Sequence, residues 1–155
     1  MDFNMDENKT DECVRLGWDS IKNKQNPQAI VFFSIALTNE PDNIEALFGL
    51  ATVSFNLSQY EKALEELNLV EQVQFKIGQP YKKLYILRGD IYMVFHDYEK
   101  AINEYDKVLA IDPGMGEVYA MRGFAKKELG AIDSANYDFS RANELGHGLP
   151  SWMIK

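Results

Sequence analysis

Few residues of this chain have the type and spacing that catalysis or metal binding requires. The two histidines, His96 and His147, have no cysteine or carboxylate at ligand spacing, so no metal site is predicted. Cys13 is the only cysteine and has no base near it in the sequence, which favours a buried structural thiol over a nucleophile. The stretch Gly146-His147-Gly148 lacks the lysine and the following helix of a phosphate loop and is predicted to end a helix. Acidic pairs such as Glu65-Glu66 are predicted to be solvated helix faces, so we expect neither catalytic residues nor a cofactor.

Composition and charge limit the classes of partner. The chain has 155 residues, is 46% hydrophobic and 26% charged, and carries a net charge of −8, as a globular domain would. Half of that charge precedes Cys13, where five acidic residues face a single lysine. Because lysine and arginine form no cluster, neither nucleic acid nor an anionic membrane surface is a predicted partner. The lone thiol, the polar N-terminus and the lack of a long apolar run predict a cytoplasmic location.

A period runs through the sequence. Ala29, Ala63, Ala101 and Ala135 lie 34, 38 and 34 residues apart in similar surroundings. A small residue precedes each alanine by twelve positions, and a large apolar residue follows it by four. Small residues at facing positions would let two helices approach, with the large side chain filling the groove beside them. The small residues are Gly17, Ala51, Gly89 and Gly123, and the large ones are Phe33, Leu67, Tyr105 and Phe139.

Helix-start signals divide each period into two helices. Ser58 and Asp42 begin capping-box patterns, Asn26 precedes Pro27 as a predicted N-cap, and Asp97 is a predicted N-cap for the following helix. Together with the apolar periodicity, these signals predict an all-α protein. The predicted helices cover about 10–23, 27–39, 43–56, 60–74, 80–95, 98–110, 116–129 and 133–145.

The repeated positions resemble those of the tetratricopeptide repeat family, over about residues 10–149. The resemblance implies a right-handed superhelical stack of four helix-turn-helix units at about 10–43, 44–81, 82–115 and 116–149, after an acidic leader (1–9) and before an apolar tail (150–155). The extra four residues of the 38-residue interval are expected to lengthen a helix or loop near Phe75–Gly78 and to point away from the concave face. Arg88 and Arg122 replace the leucine usual in the family, and their guanidinium groups are expected to reach solvent or a carboxylate.

The resemblance also implies a binding surface, because the first helix of each unit lines the concave side of such stacks. A clamp of Lys, Asn and Arg for a peptide carboxylate is not predicted, since Lys83 alone fits its positions. The inward positions are apolar instead, which predicts a groove for an apolar helix or extended peptide of another protein. The predicted partner-binding residues are Trp18, Phe48, Thr52, Phe55, Leu87, Asp90, Met93, Met121 and Phe124.

Two alternatives remain open from the sequence. The apolar tail, with Leu149, Trp152, Met153 and Ile154, would either cap the last helix or enter the groove of a second copy and form a homo-oligomer. An enzyme is the weakest alternative, because its acidic residues would have to act without a positioned partner. RNA-reading helical repeats are disfavoured by the acidic charge.

Overall fold

In the computed structural model of the protein, the described residues are 5–148, and side chains are described from Lys9 onward. These residues form eight α-helices and no strand, so the predicted all-α fold is confirmed. The helices are α1 (Met5–Lys22), α2 (Asn26–Asn39), α3 (Ile44–Asn56), α4 (Tyr60–Ile77), α5 (Lys82–Val94), α6 (Tyr98–Ile111), α7 (Gly116–Glu128) and α8 (Ile132–Glu144).

The helices divide into two compact units. The first unit ends at Gln79 and contains α1–α4, and the second begins at Pro80 and contains α5–α8. Within the first unit, α1 packs on α2 and α3 packs on α4, which gives two helical hairpins. Contacts between α2 and α3 pack these hairpins against each other. Within the second unit, α5 packs on α6, α7 packs on α8, and α6 contacts α7. Each unit therefore holds two of the four predicted helix-turn-helix repeats.

Two helices are longer than predicted. Helix α1 begins at Met5, so part of the acidic leader predicted at 1–9 is helical. Helix α4 continues to Ile77 and ends at Gly78, which has a left-handed backbone with a φ of 68°. The four extra residues of the second repeat therefore add about one turn to its second helix and do not form a loop.

The cores of the repeats confirm the predicted pairing of small and large residues. Phe33 is fully buried. A Cβ atom built on Gly17 or on Gly49 would lie 2.5 or 2.3 Å from its ring. The same relation holds for Gly89 with Tyr105 at 2.6 Å and for Gly123 with Phe139 at 2.7 Å. The glycines thus allow the helices to approach closely enough to enclose an aromatic ring.

The helix starts agree only partly with the predicted caps. The Asp97 side chain accepts a hydrogen bond from the Lys100 N–H at 3.3 Å, as predicted. Asn43 and not Asp42 caps α3, since its side chain accepts from Ala46 N–H at 3.0 Å. Helix α2 already includes Asn26, and its N-cap position is Gln25. The cap predicted at Ser58 is wrong, because Ser58 lies in the turn after α3 with a φ of +58°, whereas an N-cap residue needs an extended backbone.

One left-handed residue recurs in the turn inside every repeat. Lys24, Ser58, His96 and Gly130 have φ angles of 58°, 58°, 57° and 78°. At the first of these turns the Lys24 N–H donates to the Ile21 carbonyl, and the Gln25 N–H donates to the Ser20 carbonyl at 2.8 Å. This pair of bonds is a Schellman motif, in which glycine is the favoured left-handed residue. Three of the four repeats therefore have a residue other than glycine at a position where the backbone conformation favours glycine.

Replacing Lys24 with glycine is expected to raise the free energy of unfolding by about 0.5–1 kcal/mol. A side chain in this conformation costs about 1–2 kcal/mol, and the gain from removing it is partly offset by the larger entropy of glycine in the unfolded state. Urea titration of the variant measures the change. The matched control is Gly130→Ala at the equivalent turn, which should lower the free energy of unfolding by about 1 kcal/mol. Equal stability of wild type and both variants would contradict the argument.

Candidate partner-binding faces

In the first unit, three aromatic rings meet beside the predicted groove positions of α1 and α3. Trp18 is half-buried and lies edge-on to Phe33, with ring centroids 5.4 Å apart. It also packs against Phe48 at 5.9 Å with a tilt of 36°. Phe55 is half-buried further along α3 and lies edge-on to Tyr60 at 5.6 Å. The structure therefore places Trp18 and Phe48 in contact and holds Phe55 against a different ring.

Two of the nine predicted residues contribute little accessible surface. Phe48 and Leu87 each retain only 8% exposure. The Phe48 ring is covered by Trp18. Thr52 is half-buried, and its hydroxyl donates to the Phe48 carbonyl at 2.9 Å, which satisfies it within its own helix. The accessible predicted residues of this unit are therefore Trp18 and Phe55.

In the second unit, the predicted residues lie on α5 and α7. Met93, Met121 and Phe124 are half-buried, as is Asp90. The spacing of Leu87, Asp90 and Met93 along α5 puts these residues on one side of the helix, as does that of Met121 and Phe124 along α7. The second unit therefore presents sulfur and aromatic side chains together with one carboxyl group.

Asp90 is held by a neighbour from the second helix of its repeat. The Tyr105 hydroxyl donates to Asp90 Oδ1 at 2.8 Å. The pKa of the Asp90 carboxyl is raised to about 6, mainly by burial. The nearby charge of Glu117 also raises this pKa, while the Tyr105 hydrogen bond lowers it. Burial also raises the pKa of the Tyr105 hydroxyl, and the charge of Asp90 adds to that increase. Asp90 therefore changes charge near pH 6 while Tyr105 remains a donor.

The Asp90→Asn variant is expected to be more stable than wild type at pH 7.5, by about 2 kcal/mol, and equally stable near pH 4. The folded-state pKa of Asp90 lies above the unfolded value, so the carboxyl group costs stability as pH rises through that interval. Asparagine keeps an acceptor for Tyr105 and removes the charge. Denaturant titrations between pH 4 and 7.5 measure the difference, with Glu99→Gln on the exposed side of α6 as control. A gain that is independent of pH would refute the assignment.

The other features that could carry chemistry involve different side chains. Two open surface depressions of about 420 Å³ have mostly polar linings; one involves Tyr92, Lys100 and Glu104, and the other Lys22 and Asn26. Within residues 5–148, no three His, Cys, Asp or Glu side chains come together as metal ligands would. Cys13 is 8% exposed, so the predicted buried thiol is confirmed. None of the described helices combines the length and apolarity needed to cross a bilayer.

Comparison with known proteins identifies one segment directly. Residues 82–115, the bounds predicted for the third repeat, match the family model of the tetratricopeptide repeat. This segment is a tetratricopeptide repeat. It contains α5 and α6, and with them Asp90, Tyr105 and the close approach at Gly89.

Solved structures extend the similarity of fold beyond that repeat. A crystal structure of MamA is 23% identical in sequence, covers 92% of this chain and 81% of its own, and superposes with a TM-score of 0.77. A MamA structure from Desulfovibrio magneticus RS-1 is 15% identical, covers 88% of this chain and 75% of its own, with a TM-score of 0.76. A search of curated protein sequences finds no match. The structural likeness confirms the all-α helical-repeat fold.

The two arginines that depart from the tetratricopeptide pattern both bind carboxylates. In the matched repeat, Arg88 Nε donates to Glu104 Oε2 at 2.9 Å, and both side chains are 8% exposed. In the following repeat, Arg122 binds the fully buried Asp138 through two nitrogens at 2.7 and 2.9 Å. Of the two outcomes expected for these guanidinium groups, the structure therefore selects the carboxylate. The sequence separation of 16 residues, shared by both pairs, is the signal that could have found them.

The predicted apolar tail falls outside the described residues. Leu149, Trp152, Met153 and Ile154 all lie beyond residue 148. Capping of the last helix by this tail and its insertion into a second copy both stay predictions. The stretch that begins at Gly146 does end α8, with a φ of 77° at Gly146, as predicted.

Proposed function

We propose that this protein is a non-catalytic scaffold that binds an apolar helix or extended peptide of another protein on the faces described above. The observation that carries the proposal is the set of half-buried aromatic and sulfur side chains on the first helices of the repeats. Such side chains are held in place but keep surface for a partner, which is the state of residues that dominate binding interfaces. The set comprises Trp18, Phe55, Met93, Met121 and Phe124.

Packing in the first unit favours binding with a small loss of entropy. Trp18 is fixed between Phe33 and Phe48 before any partner arrives, so little side-chain freedom remains to be lost. In the second unit, Met93 and Met121 provide flexible and polarizable surface, which adapts to differently shaped apolar groups. The two faces are therefore suited to an apolar partner in different ways.

The helical-repeat fold supports the same class of function. Tetratricopeptide arrays are stacks of helix pairs whose repeated surfaces bind other proteins. The acidic composition of the chain favours a protein over a nucleic acid, because phosphate groups would be repelled. We infer a peptide or protein partner, and no nucleic acid or membrane.

The proposal is tested with peptides selected on the full chain from a random displayed library. Replacing Phe55 or Met121 with alanine is expected to weaken binding of the selected peptides by ~2 kcal/mol, about 30-fold in Kd, as truncation of an interface hot spot does. Phe55→Ala probes the first unit and Met121→Ala the second. Fluorescence anisotropy with labelled peptides gives the Kd values.

The matched control is Phe75→Ala, which removes an aromatic ring that is 74% exposed on α4. Phe48→Ala is unsuitable, because Phe48 is a core residue and its loss would alter folding. Circular dichroism checks that each variant keeps its helices. A library that yields no binder would overturn the proposal. So would peptides whose Kd rises as much with Phe75→Ala as with Phe55→Ala and Met121→Ala.

A further inference from the structure

One charged group interrupts the apolar face of the second unit. Asp90 lies on α5 between Leu87 and Met93, and Glu117 on α7 is near enough to affect its charge. Asp90 is half-buried, so its carboxyl group is partly withdrawn from water but still reachable. A carboxylate in such a position needs a compensating partner.

Within the described chain, Asp90 has only part of that compensation. Tyr105 donates to Oδ1, and no described residue donates to Oδ2. Among residues 5–148, no lysine or arginine forms an ion pair with Asp90 or with Glu117. The carboxylates on α5 and α7 therefore act on each other without a cation between them.

The other acids of this unit show how unusual that is. Glu104 pairs with Arg88, and Asp138 pairs with Arg122. The half-buried acids at helix ends are also paired, Asp97 with Lys100 and Asp112 with Lys82. Asp90 is thus the one buried or half-buried acid in the described part of the second unit that lacks a cation.

We propose that the partner supplies this cation: the segment that binds the second unit carries a lysine or arginine whose charged group pairs with Asp90 while its apolar neighbours contact Met93 and Met121. The inference rests on the proposed function and specifies the chemistry of its ligand. A lysine or arginine suits the site because its aliphatic stem packs on apolar surface and its head reaches a carboxylate. The added charge also relieves the repulsion between Asp90 and Glu117.

Peptides from the selection described above are the probe. We expect most peptides that depend on Met121 to contain a lysine or arginine, and replacement of that residue by norleucine to raise Kd at least tenfold on wild type. On Asp90→Asn, which keeps the acceptor for Tyr105, the basic peptide and its norleucine derivative should bind equally. Glu99→Gln is the matched acidic control and should leave the preference unchanged.

The preference should also depend on pH. Tyr105 from α6 and Glu117 from α7 are the titratable groups that face Asp90, so ionisation of Asp90 should strengthen binding of the basic peptide between pH 5 and 7.5. The norleucine derivative should show no such change. Equal affinity of the two peptides on wild type, with Met121→Ala still weakening both, would overturn the inference and leave the proposed function intact. Loss of the preference in Glu99→Gln as well as Asp90→Asn would equally overturn it.

Discussion

Replacing Glu104 with leucine is expected to lower the free energy of unfolding by about 3 kcal/mol. Glu104 lies between two cations, with Arg88 Nε at 2.9 Å and Lys107 Nζ at 2.8 Å. Both Glu104 and Arg88 have side chains that are only 8% exposed, so removing the carboxylate leaves the guanidinium group largely withdrawn from water. The loss of two charge-assisted hydrogen bonds at a site withdrawn from water exceeds the gain from the added apolar surface.

The same substitution one repeat earlier should have the opposite sign. Glu66 occupies the position of Glu104 in the second repeat, but Leu50 stands where Arg88 stands. Glu66 Oε2 is buried without a hydrogen-bond partner, and Lys62 approaches the other oxygen only to 3.9 Å. Glu66→Leu therefore removes an unsatisfied acceptor and is expected to raise the free energy of unfolding by about 1 kcal/mol.

Denaturant titration of the two variants under identical conditions measures this difference in sign. Because the two units need not unfold together, helical circular dichroism is combined with hydrogen exchange to assign each change to its own unit. Adding Arg88→Leu to Glu104→Leu should recover most of the loss, since a buried pair replaced by apolar residues is often neutral. Two variants that destabilise by similar amounts would contradict the role given to Arg88.

Local signals in the sequence were enough to predict the repeat architecture. The alanine period and the small residues twelve positions earlier predicted the helix pairs, because both features arise from packing within one repeat. Asp97 was predicted as a cap from its own chemistry, and the structure confirms it. At Ser58 the same reasoning failed, since the Schellman turn that ends α3 determines the backbone there and excludes an extended cap.

The properties of the candidate faces depended on contacts that no local pattern contains. The resemblance places Phe48 and Leu87 on the inward side, but the structure leaves each only 8% exposed. Asp90 was predicted as a groove residue, whereas its bond to Tyr105 and its lack of a cation required the positions of α6 and α7. Pairwise packing and electrostatics between helices are therefore what the sequence alone could not supply.

Replacing Gly17 with alanine is expected to lower the free energy of unfolding by about 3 kcal/mol. The new Cβ would lie 2.5 Å from Phe33 Cε1, which is too close for two carbon atoms that are not bonded. The ring cannot move away freely, because Gly49 on α3 also lies against it, so closely that a Cβ there would be 2.3 Å from Phe33 Cζ. The helices would have to separate, which loosens the core of the first unit.

The second repeat indicates how this cost can be removed. Its corresponding residues are Ala51 and Leu67, both fully buried, so alanine is accommodated where the large residue is leucine and not an aromatic ring. Phe33→Leu alone should cost about 2 kcal/mol through the cavity it leaves. In the Phe33→Leu background, Gly17→Ala should not lower the free energy of unfolding. It should raise it by up to about 1 kcal/mol, because alanine favours the helix.

A double-mutant cycle on Gly17 and Phe33, measured by denaturant titration, gives the coupling between the two sites as the departure from additivity. We expect a coupling of about 3 kcal/mol, since the penalty of the added methyl group arises almost entirely from the aromatic ring. Gly123 and Phe139 provide a parallel cycle in the second unit, where the corresponding distance is 2.7 Å. Additive effects in both cycles would mean that the glycines serve something other than ring packing. A strong coupling in both would show that one pair of a small and a large residue sets the distance between the helices of each repeat. The need for this pair would then explain why it recurs with a fixed period in the sequence.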